Sequence, residues 1–266
     1  MDEVKKVLQE EQQVFFLREG ITTVTVSESG KGIIIAEKML QKIIDKKTVL
    51  YLSGGKTPKI LYEHLAELEI HPGAVGMIDE RYGKKWHSNS NELMIRETGL
   101  LRILELQGIP FHPILLSPPH ANLLPSRERV EEREQTADEY DQKVRELLAQ
   151  YSKSVGILGI GKDGHTAGLP AGISKLQISN SKKMETEFVV DYNDTVGIYG
   201  ERVTMTFLGL SMLDILIILA FGPDKKQALK MMFMDGSEKE VPARFYTRSD
   251  IAKKTILITD QEIESM

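Results

Sequence analysis

Short apolar runs alternate with longer stretches of helical periodicity along this chain. Val49-Leu50-Tyr51-Leu52 is a compact run of β character that stops at Ser53-Gly54-Gly55. Pro58 then stands where a helix opens, and Ile60, Leu61, Leu65 and Leu68 follow at helical spacing. A second run, Ala74 to Ile78, ends at Asp79-Glu80-Arg81, and a third, Val155 to Leu158, ends at Gly159. Phe188-Val189-Val190, the almost continuously apolar Leu216 to Phe221, and Thr255 to Thr259 complete the predicted strands. Helical spacing covers Asn91 to Leu104 and Lys225 to Met234. It also covers the heavily charged Arg127 to Tyr151, whose sparse apolar face is Val130, Tyr140, Val144, Leu147 and Leu148. Ile173 to Lys183 reads as a loop, and Pro118-Pro119 with Pro125 marks a surface loop rather than a linker.

Strands separated by helices imply βαβ units and a parallel sheet covered on both faces. With 266 residues and no dividing linker, the expectation is a single α/β domain over residues 1–266. Hydrophobic residues at 41% and charged residues at 27% describe a globular chain and exclude a disordered one. The absence of cysteine excludes disulfides, zinc–thiolate sites, iron–sulfur clusters and a cysteine nucleophile. A formal net charge of −5 gives no support to nucleic-acid binding, which needs a concentrated basic face. The chain is charged from its second residue, unlike a signal peptide, and its longest apolar stretch, Ile215 to Phe221, is too short for a bilayer span. A cytoplasmic protein without membrane or nucleic-acid partners is expected.

In open α/β sheets, ligands bind beyond the carboxyl ends of the strands. Three predicted strands end there in unusual polar sequences. Ser53-Gly54-Gly55-Lys56-Thr57-Pro58 joins a strand to a helix, so its glycines admit close backbone approach to an anion and the helix start offers unpaired N–H groups. It is not a Walker A loop, because Leu50 stands where that motif needs glycine. Its bland alternative is a glycine turn with a capping threonine. Gly159-x-Gly161-x-x-Gly164 satisfies the dinucleotide fingerprint formally, but Pro170 interrupts the helix such a site requires. Within it, Asp163-Gly164-His165 suits a carboxylate that orients an imidazole as general base, or else a capped turn with a solvated histidine. Asp79-Glu80-Arg81, followed by His87-Ser88-Asn89-Ser90-Asn91, reads either as a polar site or as a surface ion pair and a helix cap. His64, His71, His112 and His120 show no metal-ligand spacing.

In this order the motifs resemble the 6-phosphogluconolactonase family, within the group that includes glucosamine-6-phosphate deaminases and isomerases. The resemblance rests on Ser53 to Pro58, Asp79 to Arg81, His87 to Asn91, and Gly159 to Ala167. It continues in Arg202-Val203-Thr204-Met205-Thr206, in Gly222 to Lys225 and in Pro242-Ala243. It implies a three-layer α/β/α fold with a mostly parallel, modified Rossmann-like sheet. It also implies hydrolysis of 6-phospho-D-glucono-1,5-lactone in the oxidative pentose phosphate pathway, with a phosphorylated sugar lactone as partner and neither metal nor organic cofactor. Carried over, His165 is the base and Asp163 its orienter. Ser53, Gly54, Gly55 and Thr57 hold the phosphate with Arg202 and Lys225, while Asp79 and Arg81 meet the substrate, Arg81 through either its phosphate or its lactone oxygens. Oligomeric state stays open between a monomer and a small homo-oligomer.

Three departures stand out: Gly168-Leu169-Pro170 lacks the family's serine and phenylalanine, Lys56 adds a charge beside the glycine loop, and Gly200-Glu201 replaces a proline before Arg202. The sister activity on glucosamine 6-phosphate is the main alternative, although Arg81 stands where its pattern prefers tyrosine and no glutamate closely follows His165. A non-catalytic sugar-phosphate-binding relative is the other, disfavoured by the retained Asp163 and His165.

Overall fold

A computed structural model of the protein describes residues 1–11, 13–116, 126–173, 177–178, 182–194 and 200–263. The chain opens with α1 (Asp2–Glu10), β1 (Phe15–Arg18), β2 (Ile21–Thr25), α2 (Ser29–Ile43), β3 (Thr48–Leu52) and α3 (Lys56–Ala66). It continues through β4 (Ala74–Met77), β5 (Asp79–Arg81), α4 (Asn91–Glu97), α5 (Leu100–Leu106) and α6 (Ser126–Gln150). Next come β6 (Lys153–Gly159), β7 (Gln177–Ile178), α7 (Lys183–Thr186), β8 (Val189–Asp194), β9 (Gly200–Met205) and α8 (Phe207–Ser211). The last elements are β10 (Ile215–Ala220), a 3-10 turn at Pro223–Lys225, α9 (Lys226–Met232), a second 3-10 segment at Pro242–Thr247, α10 (Ser249–Ala252) and β11 (Thr255–Thr259).

The main sheet has the order β1-β2-β11-β10-β6-β3-β4, parallel throughout except for the β1–β2 pair. Every residue of β3, β10 and β11 is buried, which is why these segments carry unbroken apolar runs instead of alternation. Helices flank this sheet, with α1 packed on α2, α2 on α3, and α3 on α5. Among the described residues no helix is long and apolar enough to cross a membrane.

A smaller antiparallel sheet, β5-β9-β8-β7, was not anticipated from the sequence. The two sheets meet at Ile78, whose N–H donates to Leu52 O (2.9 Å) and whose carbonyl accepts from Met205 N (2.9 Å). One residue thus carries the chain out of β4 and into β5, holding Asp79 and Arg81 beside the carboxyl end of β3. Helix α6 braces the smaller sheet from behind. Its buried Arg133 donates to Asp191 of β8 (2.8 Å) and to Glu201 of β9 (2.5 Å), and Arg129 also pairs with Glu201. Glu201, which departs from the family's proline, is therefore held by two arginines next to Arg202.

Other local differences have simple causes. The helix predicted over Asn91 to Leu104 is two helices, because Gly99 turns left-handed (φ +83) between them. Helix α3 begins at Lys56 rather than at Pro58, which sits in the first turn, where its missing N–H costs no helical bond. The helix expected from Lys225 starts after a 3-10 turn capped by Gly222 (φ +98). The strand predicted at Phe188 starts one residue later and runs to Asp194. The proposed loop over Ile173 to Lys183 includes the short β7, the rest lying largely outside the described residues, as does Pro118 to Pro125.

Candidate active site

The loops after β3, β6 and β10, together with β5 and β9, enclose a cleft of about 470 Å³. Ser53, Gly54, Gly55, Thr57, Asp79, Arg81, His165, Arg202 and Lys225 all line it. Of the candidate residues only Asp163 does not. It sits behind His165, with its Oδ1 2.6 Å from the imidazole Nδ1.

The turn that carries this pair is fixed from several sides. Gly161 N–H donates to His165 O (2.8 Å), and Asp163 Oδ1 also accepts from His165 N (3.3 Å). Gly164 turns left-handed (φ +83), and its carbonyl accepts from Ala243 N (2.9 Å), which explains the Pro242-Ala243 motif so far along the chain. A Cβ on Gly161 would collide with the His165 ring, so that glycine is where the imidazole lies. Thr166 Oγ1 donates to Gly159 O (2.9 Å) and lies 2.6 Å from the buried Tyr246 hydroxyl, tying the turn back to its own strand and to the C-terminal segment. With Nδ1 held by a carboxylate, the neutral imidazole carries its proton there and leaves the Nε2 lone pair as the basic position.

The glycine loop is clamped differently. Tyr62 of α3 accepts from Ser53 N and donates to Ser53 O, both at 3.0 Å, so the backbone leaves β3 at a fixed angle. Gly55 caps α3 at φ +115, and the open first turn presents N–H groups of Lys56 and Thr57 beside the cleft.

Glu80 is the organising group of the third wall. Its buried carboxylate accepts from Arg81 N (2.7 Å), Ser90 Oγ (2.9 Å), Asn91 N (2.7 Å) and Glu92 N (2.8 Å). Burial nevertheless holds its pKa above the ordinary carboxylate value, against those four bonds. The carboxylate caps the start of α4, where Ser90 also accepts from Leu93 N, and this sets Asn91 against Asp79. Asn91 Nδ2 donates to Asp79 O (2.9 Å) and Oδ2 (3.0 Å). A Cβ on Gly54 would collide with the Asn91 amide, so Gly54 is where two walls touch. Asn91 lines the cleft and was missed as a site residue, because Ser-Asn before a helix reads as a cap and only Ser90 acts as one.

Arg81 and Arg202 are paired residues in the β5–β9 ladder. Arg202 Nη1 lies 3.7 Å from Asp79 Oδ2. Burial lowers the Arg81 guanidinium pKa, Asp79 opposes that shift, and Arg202 reinforces it. Lys225, which also lines the cleft, lies 3.3 Å from Asp224. The departure at Gly168 also has a physical account. Thr166 to Leu169 is a two-residue hairpin with Ala167 at φ +52, Gly168 N donates to Thr204 Oγ1 (3.0 Å), and a Cβ at Gly168 would collide with Thr204. Among the described residues no group of three or more His, Cys, Asp or Glu is placed to hold a metal ion.

Glu80→Ala strips the acceptor from three buried backbone N–H groups and releases Asn91. We expect a loss of at least ~2 kcal/mol in urea unfolding, since one unsatisfied buried group costs about 1–3 kcal/mol. An unfolding midpoint within error of the native one would refute the organising role given to Glu80.

The glucosamine-6-phosphate isomerases/6-phosphogluconolactonase family model matches residues 33–256. A 6-phosphogluconolactonase of Nostoc is 30% identical over 203 residues, covering 73% of this chain and 75% of the relative. One of Thermotoga maritima is 26% identical over 221 residues, covering 80% and 90%. The fold is shared with a Plasmodium vivax 6-phosphogluconolactonase structure at TM-score 0.69 and 19% identity, covering 97% of this chain and 94% of that one. A Thermotoga maritima structure follows at TM-score 0.61 and 24% identity, covering 90% and 98%. This chain belongs to the glucosamine-6-phosphate isomerase/6-phosphogluconolactonase family.

Proposed function

We propose that this protein hydrolyses 6-phospho-D-glucono-1,5-lactone to 6-phosphogluconate. The observation that carries this reading is the Asp163–His165 pair, 2.6 Å apart, on the wall of a cleft that also holds Arg81, Arg202 and Lys225. It is supported by relatives from Nostoc and Thermotoga maritima that are named 6-phosphogluconolactonases.

In this reading the phosphate rests on the Ser53–Thr57 loop, with Arg202 and Lys225 supplying charge. The lactone carbonyl lies toward His165. Nε2 takes a proton from water as its oxygen bonds to the carbonyl carbon. The tetrahedral intermediate then expels the ring oxygen, which takes that proton back from the imidazolium and leaves a carboxylic acid that ionises. Asp163 orients the ring and stabilises its charged form. A δ-lactone is already reactive toward water, so positioning and one base suffice. The rival amino-sugar reaction must move a proton on carbon and open a ring. Asp79, the carboxylate nearest that task, is engaged by Asn91 and faces Arg202.

One preparation assayed on freshly made lactone and on glucosamine 6-phosphate tests the reading directly. Turnover of the lactone alone is expected, and turnover of only the amino sugar phosphate refutes it.

His165→Ala should lose about 10²–10⁴ in kcat with KM changed less, after spontaneous hydrolysis is subtracted. Asp163→Asn, which leaves the ring in place but weakens its orientation, should lose a smaller factor in kcat. Native turnover in His165→Ala places the base elsewhere.

Lys225→Ala should raise KM for the phosphorylated lactone by a factor corresponding to about 1.5–3 kcal/mol. The unphosphorylated lactone should be little affected. Equal losses on both substrates would remove Lys225 from the phosphate site.

A further inference from the structure

The cleft holds more positive charge than its own carboxylates answer. Lys56, Arg81, Lys162, Arg202 and Lys225 line it, against Asp79 and Asp224. Arg202 and Lys225 have those two carboxylates within 4 Å. Lys56 and Lys162 are exposed at the rim, and among the described residues neither ammonium group has a hydrogen-bond or ion-pair partner.

Their positions differ in a way that matters. β3 and β6 are neighbouring parallel strands, with Leu52 beside Ile157, so the loops that follow them lie side by side at one edge of the sheet. Lys56 is the first helical residue of α3, on the glycine loop. Lys162 belongs to the tight turn closed by the Gly161 N–H to His165 O bond, the same turn that presents the imidazole. Lys162 lines the cleft three residues before His165 on that turn, and the lactonase reading brings the substrate carbonyl carbon to that imidazole. Hydrolysis of a lactone creates a new negative charge at that carbon, because a neutral ester becomes a carboxylate.

We propose that Lys162 is a specificity residue that recognises the product carboxylate, while Lys56 adds to the phosphate end. This rests on the lactonase reading above. The site then favours a phosphorylated sugar acid over a phosphorylated sugar alcohol of the same length, and the reaction is restrained by its own product. Both lysines are exposed, so each contributes a screened interaction that strengthens as salt is lowered.

Calorimetric titration of the native protein, Lys162→Gln and Lys56→Gln with 6-phosphogluconate and with glucitol 6-phosphate tests this without using turnover. The two ligands differ only in the carboxylate. Native protein should prefer the gluconate. Lys162→Gln should lose about two- to fivefold of that preference, the range of an exposed ion pair, and leave glucitol 6-phosphate affinity in place. Lys56→Gln should weaken both ligands by a common factor. Circular dichroism of both variants should match the native spectrum, since neither side chain packs into the core. An unchanged preference in Lys162→Gln, or equal weakening of both ligands, overturns the assignment. If native protein binds both ligands equally, the proposal fails while the phosphosugar site stands. If it binds neither, the lactonase reading fails with it.

Discussion

One buried carboxylate organises much of this site without lining it. Glu80 gathers the N–H groups of Arg81, Asn91 and Glu92 and the hydroxyl of Ser90. An ionised carboxylate is costly to bury, and the observed geometry offsets that cost with acceptor bonds at a helix start, where backbone donors are otherwise unpaired. The consequence is mechanical. Helix α4 is fixed to β5, Asn91 is fixed to Asp79, and the Asn91 amide fills the space that a side chain at Gly54 would need. The glycine loop, the Asp-Glu-Arg strand and the Ser-Asn helix start are therefore one packed unit.

The second unit is the Gly161–His165 turn, and its supports come from farther along the chain. Ala243 bonds to Gly164, and Tyr246 meets Thr166. These contacts hold the imidazole against Gly161 and in line with Asp163. Rigidity here suits the proposed role of His165, since a general base must be placed to within fractions of an ångström of the water it activates. The strand crossing at Ile78 ties the first unit to the smaller sheet, since it bonds at once to β3 of the main sheet and to the end of β9.

What the sequence revealed follows from what local pattern can encode. Leu216 to Phe221 and Thr255 to Thr259 were legible because strands buried on both faces carry near-continuous apolar runs, the two buried threonines of β11 bonding to backbone carbonyls. The break at Gly99 was not, since Ile95, Leu100, Leu101 and Leu104 keep helical spacing across it. The smaller sheet was hidden because β8 and β9 carry buried charge, and Asp191 and Glu201 meet their arginines only through α6. In the cleft, glycines and a histidine at strand ends announced themselves. Asn91 did not, because it acts through Asp79, distant in sequence, and alone resembles an ordinary helix cap, while Glu80 stood out only within Asp79-Glu80-Arg81, with nothing local to show that it gathers the start of α4. Gly168 looked like a defect and is instead complementary to Thr204.

The arrangement of Arg81 and Arg202 shows where the fold gives up stability. Like charges directly opposite in an antiparallel pair destabilise it, and burial adds a desolvation cost that lowers the Arg81 pKa. Asp79 answers part of that cost, but its own oxygen is shared with Asn91 and it stands 3.7 Å from Arg202, a distance at which the pairing is electrostatic rather than a tight hydrogen bond. Under the proposed lactonase reading, a phosphate dianion entering the cleft meets donors already assembled and relieves repulsion that the folded protein carries at rest. In that reading binding stabilises the native state by mass action, and the repulsion between two arginines favours a doubly charged group over a neutral one.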